Sequence, residues 1–228
     1  MLILALETST LVTSLAVSMD GRLMYERTAG RLRGHGSRLF PMAQMLLDEA
    51  SITISDVDCI AVSTGPGSFT AVRIGVAAVK ALAMAAPRVK IAAVDTLEAM
   101  ATGLFAPGRV VCPLLDARKG EVYGAAFRSG GARPERLTED LCGRVEEVVA
   151  AAGPGAIVFG GGARVYEERI AASTGGSAVF APLTADLPRA SLVAALAPLV
   201  LESDGPTTRG DLHPVYLRKP VIRRGGGE

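Results

Sequence analysis

The sequence predicts an α/β protein of two lobes, each a mixed sheet flanked by helices. Three observations carry this. Hydrophobic residues make up 49 % of 228 residues, with 4 % aromatic and no Trp, so the core must be Ala, Val, Leu and Ile. Each half opens on a strand hairpin with an acidic turn and continues with alternating helices and strands. The character of the chain changes at "APGR", residues 106–109, which marks a boundary. The length allows one large or two modest cores.

The elements follow in order. Residues 2–6, 12–18 and 22–28 alternate or are β-branched and predict three strands; "MDGR" places Asp20-Gly21, a strong hairpin signal, between the last two. In "SRLFPMAQMLLDEA", Leu39, Met42, Ala43, Leu46, Leu47 and Ala50 recur at helical spacing. Ser37 is the expected cap, and Pro41 is tolerable only near the first turn. Strands are expected at 58–63 and 90–94. Beyond the boundary, "VVCPLLDARKGEVYGAAF" predicts strand, turn, strand. "RVEEVVAAA" predicts a helix, "AIVFGGGARVYEERI" strand, glycine turn and helix, and "RASLVAALAPLVLES" a last helix. The expected domains are 1–105 and 106–218, with 219–228 a basic, glycine-rich mobile tail. The halves share a plan but no residue-level repeat.

Composition excludes several classes. A net charge of +1 and few aromatics argue against binding nucleic acid alone. Cys59, Cys112 and Cys142 are isolated and odd in number, which suits free thiols in a reducing compartment. "MLILAL" lacks a basic leading region and meets Glu7 at once, so it is expected to be a strand. No run of about 18 uncharged apolar residues offers a membrane span. The expected location is the cytoplasm.

"STGPGSFTAVRIGVAAVKALAMAAP", residues 63–87, has the strand, glycine turn, helix outline where anions dock on unpaired amides, with Ser68 as a possible cap. It matches neither GxGxxG nor GxxxxGK[ST], and no Lys follows to reach a phosphate. Gly65 and Gly67 equally supply a tight turn. On the helix, Arg73 and Lys80 share one stripe, with Ala71, Gly75 and Leu82 opposite. Phe69, Val72, Val76, Val79 and Ala83 form a further apolar flank. Two flanks demand extra cover, from the second domain or a second protein.

"ETST", from Glu7 and Thr8 to Thr10, sits in the first hairpin turn. In actin-like and sugar-kinase-like ATPases an Asp and a Gly there serve metal and phosphates; here the acid is Glu and Gly is missing. "IVFGGGARV", with Gly160 and Gly161, resembles the adenosine loop of that superfamily and equally reads as a turn. Asp116 occupies the second hairpin. His35 and His213 are the only histidines and build neither HExxH nor a Ser-His-Asp set.

Four blocks, "ILALETST", "STGPGSFTAVRIGVAAVKALA", "PLLDARKGEVYGAAF" and "HPVYLR", resemble the TsaB (YeaZ) family, the bacterial partner of TsaD in making threonylcarbamoyladenosine beside the tRNA anticodon. Glu7 departs from the Asp usual in the family. TsaD carries a metal-binding His-x-x-x-His; here His35 is followed four residues on by Leu39.

The resemblance implies a two-domain actin/Hsp70/sugar-kinase-like (ASKHA) fold serving as a non-catalytic scaffold. The family pairs with TsaD, and with itself when alone, through its first two helices. An ATPase, TsaE, joins, and tRNA is met only through the complex. The expected interface is Leu39, Met42, Met45 and Leu46 on the first helix and Phe69, Val72, Val76, Val79 and Ala83 on the second. Glu7, Thr8, Asp116, Gly160 and Gly161 are candidates for a vestigial nucleotide site. No cofactor, metal or catalytic residue of its own is expected; ATP and metal belong to the partners. The alternative is an ATP-dependent small-molecule kinase of the same fold. A glycoprotein peptidase, an old label for the family, lacks metal ligands here.

Overall fold

The computed structural model describes residues 1–30 and 35–218, with the side chains of 35–37 outside the description. The tail expected at 219–228 lies outside it too, as do the side chains of His35 and Ser37. Strands β1 (Leu2–Glu7), β2 (Thr13–Met19) and β3 (Arg22–Ala29) form an antiparallel meander. Asp20 and Gly21 take the left-handed conformation, φ 51° and 77°, that a two-residue hairpin demands. Helix α1 (His35–Glu49) follows, then β4 (Cys59–Ser63), α2 (Phe69–Ala85) and β5 (Lys90–Val94). The sheet order is β3-β2-β1-β4-β5, with β4 and β5 parallel to β1. Because α1 begins at His35, Ser37 falls inside it and Pro41 lies beyond the first turn.

Every residue of β1 is buried, as expected of a strand covered on both faces. Leu2, Leu4 and Leu6 point to the core under α1 and α2, while Ile3 and Ala5 point to the opposite core. That opposite core is filled by α7 (Ala190–Ser203), which arrives from the far end of the sequence.

Helix α3 (Thr96–Thr102) leads to the second lobe, its first turn capped by Asp95, which accepts from the Glu98 amide at 2.7 Å. There follow β6 (Val110–Arg118), β7 (Glu121–Gly124), β8 (Phe127–Arg128), β9 (Glu135–Arg136), β10 (Leu141–Arg144) and α4 (Val145–Ala152). Then come β11 (Ile157–Phe159), α5 (Gly161–Val165), α6 (Glu167–Ser173), β12 (Val179–Phe180) and finally α7. The main path is β10-β7-β6-β11-β12, with β8 and β9 to one side. It repeats the first lobe strand for strand: two antiparallel neighbours on one side of the founding strand, two parallel ones on the other.

Two further features differ from the sequence reading. The single helix expected after β11 is two, broken at Tyr166. Helix α7 belongs by sequence to the 106–218 segment and by packing to the first sheet, where its Ala190, Val193 and Ala197 meet Ile3, Ala5 and Ala61. Its start is pinned there: the Ala190 amide donates to Ser14 Oγ at 3.1 Å and the Ser191 amide to Glu26 Oε1 at 3.0 Å.

Candidate functional site: the interlobe cleft and the outer helix face

Between the lobes lies a cleft of about 710 Å³. One wall is the first hairpin turn, Ser9–Val12, with the start of α2 at Gly67–Phe69. The other is the second hairpin, Leu115–Arg118, with Gly161, Val165 and Asp186. The sheets place these segments together because each lies at or just beyond the C-terminal end of a central strand, where ligand crevices of open α/β sheets form. The motifs singled out in the sequence therefore do meet, although Glu7, Thr8 and Gly160 are absent from the walls.

Most of their polar groups are engaged internally. Glu7 is 1 % exposed, and its Oε1 accepts from the Ser9 amide. Burial pushes its carboxyl above the ordinary range, against hydrogen bonds from Ser9 and Ser63. Thr8 Oγ1 donates to the Ala71 carbonyl at 2.9 Å, tying the first turn to α2. Gly75 lets this happen, since a Cβ there would collide with Thr8 Oγ1. Gly67 is pressed against the Ser9 carbonyl, and the Ser68 amide donates to that oxygen at 2.7 Å. Ser68 occupies the cap position of α2 without a side-chain cap bond.

The second wall is similar. The Gly160 amide donates to Asp186 Oδ1 at 2.8 Å, and Arg164 Nε donates to Asp186 Oδ2 at 2.7 Å. Asp116 Oδ1 accepts from the Arg118 amide at 2.8 Å and from the Tyr166 hydroxyl at 3.0 Å. Tyr166 also accepts from the Gly120 amide at 3.1 Å. The break between α5 and α6 thus delivers a tyrosine that clamps a turn holding Arg118 and Lys119 at φ 69° and 58°. No motif announced Tyr166; its rarity, one of four Tyr, was the one available hint. Two polar side-chain atoms of the first hairpin turn, Glu7 Oε2 and Ser9 Oγ, are buried without a hydrogen-bond partner. Among the described residues no three His, Cys, Asp or Glu side chains gather as a metal site.

The helix face requires a correction. Leu39, Leu46, Val72, Val76, Val79 and Ala83, expected at a partner interface, are 0–5 % exposed and belong to the first lobe's own core. The second apolar flank of α2 is covered by the chain itself, with α1 beside it and Leu212 in the same core. Met42 is half-buried against that core. Phe69 is half-buried at the cleft, its ring 4.6 Å from that of Tyr216 and under the Arg73 guanidinium. Of the expected set, only Met45 is exposed, at 50 %. The exposed apolar side chains of the two helices are Phe40 and Met45 on α1, and Ala77, Ala81 and Met84 on α2, Met84 at 70 % exposure. Arg73 is exposed and Lys80 half-buried beside it.

Comparison with known proteins gives this geometry a family. A family model described as TsaD, tRNA N6-adenosine threonylcarbamoyltransferase, matches residues 30–196. YeaZ from Pseudomonas aeruginosa, a solved structure, is 31 % identical with a TM-score of 0.81, over 95 % of this chain and 99 % of that one. The chain belongs to the TsaB (YeaZ) family. The tRNA threonylcarbamoyladenosine biosynthesis protein TsaB of Bacillus subtilis (strain 168), a further relative, is 31 % identical over 140 residues. That alignment spans 61 % of this chain and 61 % of the relative's length. A component of (R)-2-hydroxyglutaryl-CoA dehydratase from Acidaminococcus fermentans shares the fold alone, at 8 % identity and TM-score 0.51, over 89 % of this chain and 98 % of that one. The TsaB (YeaZ) chain is thus built on the two-lobe actin/Hsp70/sugar-kinase-like plan.

Proposed function

We propose that this chain takes part in making threonylcarbamoyladenosine in tRNA as the non-catalytic partner of a TsaD-like transferase. It docks the transferase through the outward faces of α1 and α2. The observation that supports this most is the stripe of exposed apolar residues on α2, Ala77, Ala81 and Met84, with Phe40 and Met45 exposed on the neighbouring α1. Exposed apolar side chains grouped on one layer mark interaction sites more often than bare surface. The family likeness supplies the partner. Arg73 and Lys80 at the margin tune the encounter rate and orientation. The same face pairs with a second copy when the transferase is absent, and a TsaE-like ATPase and tRNA join through the complex. ATP and metal act on the partner proteins, a reading supported by the internal pairing of the second wall's two acids, Asp116 with Tyr166 and Asp186 with Gly160.

Reconstitution tests this. The chain mixed with a TsaD-like protein, a TsaE-like protein, ATP, tRNA and threonylcarbamoyl adenylate should support transfer, and its omission should reduce transfer strongly. Alone, the chain should transfer nothing; robust transfer by it alone refutes the reading. The cleft itself favours a second reading, a small-molecule kinase of the same fold. Calorimetric titration with ATP and magnesium separates the two, since a kinase binds nucleotide unaided.

A further inference from the structure

The segment after α7 connects the two lobes across the cleft. Its anchor is Leu212, fully buried in the first core. The Val215 amide donates to the Thr64 carbonyl at 2.7 Å, and the Val215 carbonyl lies over Gly65, where a Cβ would come within 2.8 Å of it. Gly65, at φ +114°, is therefore glycine both for its conformation and for the chain that crosses it. Tyr216 then stacks on Phe69, with 31° between the ring planes. Arg218 reaches the second lobe: Nη1 donates to the Ala117 carbonyl at 3.2 Å and Nη2 pairs with Glu121 at 3.0 Å.

Phe69 and Ala117 stand on opposite walls of the cleft. The segment thus has a firm end and a light end. The firm end combines a buried leucine, a backbone hydrogen bond and an aromatic stack. The light end is a guanidinium whose ion pair is about one-third exposed on both sides, a geometry that contributes little to stability. Other ties between the lobes, Glu98 with Arg133 and Asp95 with Arg136, involve no residue of the cleft walls. They fasten the α3 side; the chain itself also crosses between the lobes at Asp186–Ala190, of which Asp186, Leu187 and Pro188 line the cleft.

We propose that residues 213–218 form a releasable strap that sets the opening of the interlobe cleft, anchored on the first lobe and clipped to the second by Arg218. Clipped, it holds the Gly67–Phe69 and Leu115–Arg118 walls at a fixed separation. Released, it lets the second lobe swing about the two chain crossings, at α3 and at Asp186–Ala190. Relative motion of lobes about a small set of connecting residues is a common mode for two-lobe proteins.

The test is the distance between lobes in the full chain. Nitroxide labels are placed at Arg88→Cys on the first lobe and Glu168→Cys on the second, both exposed positions. Cys142→Ser removes the half-buried thiol, and Cys59 and Cys112 stay protected by burial. Labelled protein is diluted with unlabelled protein so that pulsed electron resonance reads distances within one chain. The parent should give one narrow distribution. Arg218→Ala should shift it to longer distances by more than the parent's width, and Glu121→Gln should broaden it in the same direction. Arg27→Ala, remote from the strap, should leave it unchanged. A folded Arg218→Ala with the parent's distribution overturns the proposal. Should Arg218→Ala fail to fold, Glu121→Gln decides alone, and an unchanged distribution there overturns it equally.

Discussion

After β4 the chain turns through Gly65–Gly67 into α2, a helix of 17 residues; after the matching strand β11 it turns through Gly160–Gly162 into α5, a helix of 5. Both turns carry glycines pressed against their own chain, Gly67 on Ser9 and Gly160 on the Leu114 carbonyl. The two helices then serve different ends. In the second lobe the short helix ends where Tyr166 clamps the β6–β7 turn, and the chain moves on. In the first lobe the helix runs on for almost five turns, covers the sheet and still carries Ala77, Ala81 and Met84 outward. One strand path thus supports two uses. The second lobe's short helices leave Val165, Ala171 and Ala172 exposed, while the first lobe's long helix carries a longer exposed apolar stripe.

The largest expected effect separates the two sides of α2. Val76→Asp places an unpaired charge at a position 5 % exposed in the first core. It should cost roughly 3–5 kcal/mol, a large part of a domain's stability, and abolish or sharply lower the cooperative melt followed by circular dichroism. Met84→Asp on the same helix should melt within about 0.5 kcal/mol of the parent. Equal melting of the two would break the distinction between core face and outer face.

Next come the glycine turns. Gly67→Ala drives a Cβ into the Ser9 backbone and should lower stability by about 1–3 kcal/mol in urea denaturation. Gly161→Ala meets open space at the start of α5, so it should be neutral or stabilising by up to about 1 kcal/mol. A matching loss at both sites would mean that Gly161, unlike Gly160 and Gly162 beside it, does not face open space.

The acids of the two matching hairpins give the third contrast. Burial raises the folded-state pKa of Glu7 above its ordinary 4.5, so the folded chain holds this proton more tightly than the unfolded chain does. Its contribution is fully present below the unfolded value and is lost as pH rises through the folded one. Asp95, raised by burial and by Asp140, acts in the same sense. Glu7→Gln should therefore reduce the fall in melting temperature between about pH 5 and pH 8. An unchanged slope would show that Glu7 is not the group responsible.

The smallest effect is expected at Asp116. Asp116→Ala removes the acceptor of Tyr166 and of the Arg118 amide, worth about 1 kcal/mol each at most in a partly exposed turn. tRNA modification by the assembled complex should stay near the parental rate. A large loss with intact folding and assembly would favour a working nucleotide site in the cleft.

Much of this architecture was legible in the sequence. The apolar alternation of Leu2–Leu6, the Asp20-Gly21 turn and the limits of α2 follow from local periodicity and turn chemistry, which act over a few residues. The candidate face was legible only to the level of its helices. A helical wheel assigns Val72, Val76 and Val79 to a flank, but it holds no record of what covers that flank. The cover comes from α1 and from Leu212, more than a hundred residues downstream. The return of α7 to the first sheet and the clamp by Tyr166 are likewise long-range contacts without a local pattern. The residues left outside by this packing, Phe40, Ala77, Ala81 and Met84, were the ones the wheel did not select.

The central claim, that the outer face of α1 and α2 seats the transferase, is tested most directly by titrating a TsaD-like protein with the parent chain and with Met84→Asp in a calorimeter. The folded variant should bind about a hundredfold more weakly, close to 3 kcal/mol, because the new charge is desolvated without a partner. Binding of folded Met84→Asp at the parent's affinity would contradict the account and place the transferase elsewhere on the chain.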